Sequence, residues 1–116
     1  MSSQDSIDSR RHKPRLEVDT RIDVVDSMTG QVVGRIGNIS ESGMLLLATA
    51  PLRADALYQL RFDLAAQGQP PHPVEVGAHL LWLDPDQVPG RAWAGLHFIH
   101  LPSSQRKALL DWMGRR

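Results

Sequence analysis

The sequence predicts an all-β fold, six short strands in a closed or nearly closed antiparallel barrel with one C-terminal α-helix. Three observations carry that expectation. Apolar and polar residues alternate in several short runs, the mark of half-buried strands. Turn-forming Gly, Pro, Asn and Ser separate those runs. Near the end the apolar spacing changes to that of Leu109, Trp112 and Met113, which suits one face of a helix. A chain of 116 residues is one domain by size and can bury a modest core.

Residues 1–9 are polar and acidic, and read as a disordered leader. From Leu16 the pattern changes: Leu16, Val18, Ile22 and Val24 share one parity, with Glu17, Asp19, Arg21 and Asp23 on the other. This predicts a first strand, closed by a turn at Ser27–Gly30. Gln31–Ile39 is the second strand, Ser40–Gly43 a turn, and Met44–Ala48 a short buried third strand that Pro51 ends. Leu57, Tyr58, Leu60, Phe62 and Leu64 mark the fourth strand. Ala65–Pro73, with Gly68 and three prolines, is a loop. Val74–Leu83 and Arg91–Ile99 are the last two strands, separated by a loop over Asp84–Gly90. Pro102 suits the first turn of a helix and Gly114 its stop. The predicted layout is therefore a barrel over about residues 16–99 and a helix over about 102–113, the helix covering an opening or an edge.

Composition excludes several classes of function. With no cysteine, disulfide frameworks and thiolate metal sites are ruled out, and a reducing compartment fits. The apolar stretch Met44–Leu52 is far too short to span a bilayer, and the first nine residues carry no signal-peptide core. A cytoplasmic protein without membrane insertion is the expectation. Formal net charge is zero, which disfavours a general DNA or RNA binder steered by long-range attraction. A barrel binding single strands would also show a basic groove with exposed aromatics, and only three Trp, one Tyr and two Phe are present.

No catalytic constellation is visible. Ser40 and Ser42 lie in no Gly-x-Ser-x-Gly elbow, and there is no Gly-x-x-x-x-Gly-Lys phosphate loop. His79 and His97 fall on predicted strands and can face each other across a pair, but they lack a carboxylate at ligand spacing, so no metal site is assigned. The expectation is a protein that is not an enzyme and needs no cofactor.

Two motifs remain. Arg11-His12-Lys13-Pro14-Arg15 is an Arg-x-x-x-Arg just before the first strand, in a basic cluster begun by Arg10. Asn38-Ile39-Ser40-Glu41-Ser42-Gly43 is an Asn-x-Ser-x-x-Gly at the turn between the second and third strands. Either alone is cheap, since turns favour Asn, Ser and Gly in any case. In this order, followed by Trp93-Ala94-Gly95-Leu96-His97-Phe98 and a leucine-bearing helix, they resemble the signature of the PilZ family over about Arg10–Met113.

The resemblance implies a PilZ domain over residues 10–116, with a ligand-binding arm at 10–15. It also implies that cyclic di-GMP binds on the outer surface of the barrel, between Arg11 and Arg15 on one side and Asn38, Ser40 and Gly43 on the other. The ligand carries two phosphates and two guanines. An arginine can bond a phosphate through its fork, bond guanine O6 and N7, or stack on a base. The Asn38 amide oxygen can accept from the guanine N1–H and N2–H₂ edge, though more weakly than the Asp of many family members. Ser40 can donate to a phosphate or base, and Gly43 supplies either a backbone conformation or a close approach to ligand. Arg10 stands where the family sets whether one ligand or an intercalated pair binds, and an extra arginine there points to a pair. Trp82 is placed either to stack on a guanine or to pack at the barrel rim, whereas Trp93 and Trp112 are expected in the core. By the same resemblance, ligand binding would order the arm and present a new surface to a downstream protein partner. The rival reading is a PilZ-like protein–protein adaptor that binds no nucleotide.

Overall fold

A computed structural model describes residues 16–17, 21–65 and 68–114. Among the described residues, seven β-strands and one helix follow in chain order: β1 (Leu16–Glu17), β2 (Asp23–Asp26), β3 (Val32–Ile39), β4 (Gly43–Ala48), β5 (Leu57–Leu64), β6 (His72–Pro85), β7 (Ala92–His100) and α1 (Ser103–Gly114). All strand pairs are antiparallel, in the order β1-β3-β2-β5-β6-β7-β4, and an additional β3–β4 pairing closes the ring. The barrel therefore has six strands, β2 to β7, as the alternation implies. The two-residue β1 is an accessory to β3.

The segment read from sequence as one first strand is in fact two pieces. Leu16 pairs with Ile39 and Glu17 with Asn38, whereas Asp23 pairs with Arg35 and Val24 with Gly34. Both pieces lie along the same edge of β3, but their registers differ by three residues. Parity alone does not report such a shift. The junction on the β2 side is held by the Ile36 N–H donating to the Ile22 carbonyl at 3.0 Å. At the β2–β3 turn Gly30 has φ +77°, a conformation that a Cβ would oppose. Its N–H donates to the Asp26 carbonyl at 2.8 Å.

Strand β6 runs further than its apolar pattern suggested, taking in His72 and Pro73 at one end and Asp84 and Pro85 at the other. Its first half bonds to β5 and its second half to β7, with bulges between Gly77 and Ala78 and between Leu80 and Trp82. Such bulges add twist and let one strand turn the corner of a barrel.

Inward positions fill the interior. Val24, Ile39, Met44, Leu46, Leu60, Phe62, Val74, Val76 and Leu80 are all buried in a continuous core. Helix α1 presents Leu109 and Trp112 to it. The helix starts one residue later than expected, with the Pro102 carbonyl accepting from the N–H groups of Gln105 and Arg106, and it includes Gly114. Two polar contacts fix its position: the Glu75 N–H donates to Gln105 Oε1, and Trp112 Nε1 donates to the Ala65 carbonyl at 2.8 Å. Replacing Trp112 by Phe keeps most of the apolar volume but leaves that carbonyl without its indole donor. The expected loss is about 1 kcal/mol, read as a melting temperature lowered by several degrees. An unchanged melting temperature would mean that the bond adds nothing to helix docking.

Candidate functional site

The register assembles one continuous row across the outside of the barrel. Trp82 on β6 pairs with Gly95 on β7, Gly95 with Leu45 on β4, and Leu45 with Asn38 on β3. Asn38 in turn pairs with Glu17 on β1. The neighbours Ile39, Met44, Leu46, Ala94 and Leu96 point into the core, so this row faces outwards. Trp82 and Asn38 stand three strand spacings apart, roughly 14 Å at the usual interstrand distance. Trp82 is 45% exposed and Asn38 is half-buried.

Glycines keep this face low. A Cβ on Gly95 would lie 2.3 Å from the indole of Trp82, so the ring rests directly on the β7 backbone. Gly37 is the unpaired residue of the β3–β4 bulge, and a Cβ there would lie 3.0 Å from Trp93 Cζ3. Trp93 belongs to β7, and β4 lies between β7 and β3, so its indole crosses the outer surface of β4 to reach Gly37. This corrects the sequence expectation for Trp93. Its parity places it on the outer face, half-buried, while Trp112 does enter the core.

The second motif folds into a tight β3–β4 connection. The Ser40 N–H donates to the Gly43 carbonyl at 2.9 Å, and Ser40 Oγ accepts from the Ser42 N–H at 3.2 Å. Ser40 Oγ also lies 3.1 Å from Ser42 Oγ and 3.4 Å from the Gly43 carbonyl. Ser40 is only 1% exposed. The hydroxyl is enclosed within its own turn, and the half-buried hydroxyl of this turn belongs to Ser42. Gly43 is likewise required by the fold. A Cβ at this position would sit 2.2 Å from the Leu96 carbonyl oxygen, so the backbone of β7 approaches closely here. Glu41 reaches towards α1, where its carboxylate lies 3.8 Å from Arg106.

Arg10, Arg11 and Arg15 lie outside the described residues. The described chain begins at Leu16, whose backbone partner Ile39 is the neighbour of Asn38 and Ser40. His79 and His97 are cross-strand partners, as their strand positions suggest. The structure adds a carboxylate absent from the sequence expectation: Asp55, at φ +67°, places Oδ1 2.6 Å from His79 Nε2. Among the described residues, no three His, Cys, Asp or Glu side chains come together as a metal-binding group.

On the neighbouring loop, Arg91 Nε and Nη2 both bond Asp86 Oδ2, at 2.9 and 2.5 Å. The guanidinium holds the Asp86 carboxyl below its ordinary range. Desolvation works against that shift, and the Gln87 and Val88 N–H groups add to it. A carboxyl with a lowered folded-state pKa stabilises the fold above its unfolded value, and that contribution is lost as pH falls through the folded value. The expected result is that Asp86 titrates below the ordinary aspartate range when followed by carbon NMR. In Arg91→Ala it returns towards that range, and no change in that variant would remove Arg91 as the cause.

Comparison with known proteins gives this outer face a context. A family model described as PilZ domain matches residues 9–115, nearly the whole chain. The chain belongs to the PilZ family. PilZ domains are non-catalytic and typically serve as cyclic di-GMP-binding effectors. Two solved structures share the fold. One is the inhibitor of motility MotI/DgrA of Bacillus subtilis, with a TM-score of 0.74 and 16% identity over 92% of this chain. This chain spans about half of that protein, 51%. The other is the PilZ domain of YcgR from Escherichia coli, solved with c-di-GMP, with a TM-score of 0.69 and 16% identity over 91% of this chain and 90% of that one. No curated protein matches by sequence. Among the described residues of this PilZ domain, no helix is long and apolar enough to cross a membrane.

Proposed function

We propose that this PilZ domain is a cytoplasmic receptor for cyclic di-GMP that signals to a protein partner. The observation that carries the reading is the outer row itself. It brings Trp82 and Asn38 onto one low, glycine-floored face, and it pairs Leu16, the residue directly after Arg15, with the neighbour of Asn38. In this reading Arg11 and Arg15 supply the forked contacts to phosphate or guanine, and Arg10 reaches a second ligand molecule. Asn38 accepts from a guanine edge, and Trp82 offers an exposed ring for stacking. Ser40 and Gly43 act indirectly, by fixing the turn that carries the face. The arm becomes ordered against the barrel when ligand binds, at an entropic cost that lowers the net affinity.

One observation favours the adaptor reading. Ser40 and Gly43 are both used by the fold, so their presence alone does not require a ligand. Isothermal titration with cyclic di-GMP, with GTP as control, decides between the two. Saturable heat with cyclic di-GMP alone supports the receptor, and the stoichiometry separates one ligand from a pair. The absence of heat, together with an unshifted melting temperature at high ligand concentration, would overturn the receptor in favour of the adaptor.

A further inference from the structure

A groove of about 140 Å³ opens on the same outer surface, beyond the Trp93 indole, lined by Arg21, Arg35, Arg91, Val32, Gly34, Leu47 and Thr49. Its three arginines come from the residues leading into β2, from β3 and from the β6–β7 loop end. Arg21 is held by Asp23 at 2.9 Å and Arg91 by Asp86, which leaves each with further N–H donors. Arg35 is exposed and makes no ion pair among the described residues. Beside it, Gly34 leaves no room for a side chain: a Cβ there would lie 2.4 Å from the Leu47 carbonyl oxygen, so β3 and β4 approach closely at this wall of the groove.

From this arrangement we infer that the Arg21–Arg35–Arg91 groove is a phosphate-binding site separate from the Trp82–Asn38 row. Arginine forks match the oxygens of a phosphate bidentately. Arg35 provides the uncommitted fork, Arg21 and Arg91 are pre-positioned by their carboxylates, and the Thr49 hydroxyl is a further donor. The carboxylates of Asp23 and Asp86 leave the three arginines with a net charge of one positive unit, so selectivity comes from the converging donors more than from the field. The groove takes a single phosphate group rather than a whole nucleotide. Two sources share that chemistry, free inorganic phosphate and a phosphate of a bound cyclic dinucleotide.

The test is a titration of the ¹⁵N-labelled chain with inorganic phosphate, following the arginine Nε–H signals of Arg21, Arg35 and Arg91. Sodium chloride at equal ionic strength is the control. The expected result is saturable shifts with phosphate and none that saturate with chloride. Arg35→Ala should weaken phosphate binding about tenfold or more, with an unchanged melting temperature because the side chain is exposed. Arg35→Lys should fall between, since it keeps the charge and loses the fork. Shifts that fail to saturate, that chloride reproduces, or that survive Arg35→Ala would overturn the assignment. Where phosphate does bind, adding cyclic di-GMP identifies the source. Displacement of phosphate makes the groove a subsite for the dinucleotide, and retention makes it a site for free phosphate; both results uphold the groove.

Discussion

Arg15→Ala is expected to lower cyclic di-GMP affinity by about 100-fold or more, and Arg11→Ala to do the same, with the barrel intact. A forked guanidinium contact consists of two charge-assisted hydrogen bonds, each worth about 1.5–3 kcal/mol. Losing the pair therefore removes at least two factors of ten. Lysine at either position keeps the charge but cannot make the parallel bonds or stack through a planar face, so it should recover only part of the loss. Titration calorimetry measures the affinity, and thermal melting of the ligand-free variants checks the fold. Unchanged affinity in both alanine variants would remove the arm from the site. A large fall in ligand-free melting temperature would instead place the arginines within the barrel's own stability.

Gly43→Ala is expected to damage the apoprotein before it affects any ligand. The added methyl would lie 2.2 Å from the Leu96 carbonyl oxygen and 3.3 Å from the His97 Cα. Both are backbone atoms of β7, which cannot rotate away as a side chain would. To relieve the overlap, β4 must separate from β7 where Gly43 pairs with His97. Overpacking of this kind costs about 1–3 kcal/mol, and the upper end applies where backbone is the obstacle. Thermal melting without ligand should fall by roughly 10 °C for a domain of this size. If Gly43→Ala instead melts like the parent and loses only cyclic di-GMP binding, the glycine serves the ligand and the close contact is tolerated.

The sequence made the strands legible because most of them bury one face. Leu60, Phe62 and Leu64 alternate with exposed Arg61 and Asp63, and that rhythm needs no knowledge of partners. The helix was legible for a similar reason, through Leu109 and Trp112 at helical spacing. What escaped depends on register. The offset that splits β1 from β2, and the bulges at Gly37 and in β6, shift pairing without breaking the local pattern. Trp93 was misplaced because a large aromatic suggests a core, whereas parity against buried Ala94 puts it outside. The motif residues Asn38, Ser40 and Gly43 were found by type and spacing, but their division of labour was not. Ser40 turns inwards and Gly43 meets β7, facts that follow from tertiary contact alone. The carboxylate of Asp55 beside His79 was hidden by a sequence separation of 24 residues. The arginine groove was hidden likewise, because its three arginines come to line one groove only after the barrel has closed.

The two-residue strand β1 has a thermodynamic consequence. Six strands form a ring in which each long ladder supports its neighbours, while β1 adds a ladder of only two paired positions to the end of β3. So short a pairing fixes its residues in return for little interaction, and it belongs at the low end of the local-stability scale. Its equilibrium between paired and released is therefore the one most easily shifted by a modest external free energy, well before the rest of the ring responds. In these terms the closed ring carries the stability of the fold, and β1, docked only against Asn38 and Ile39, contributes little to it.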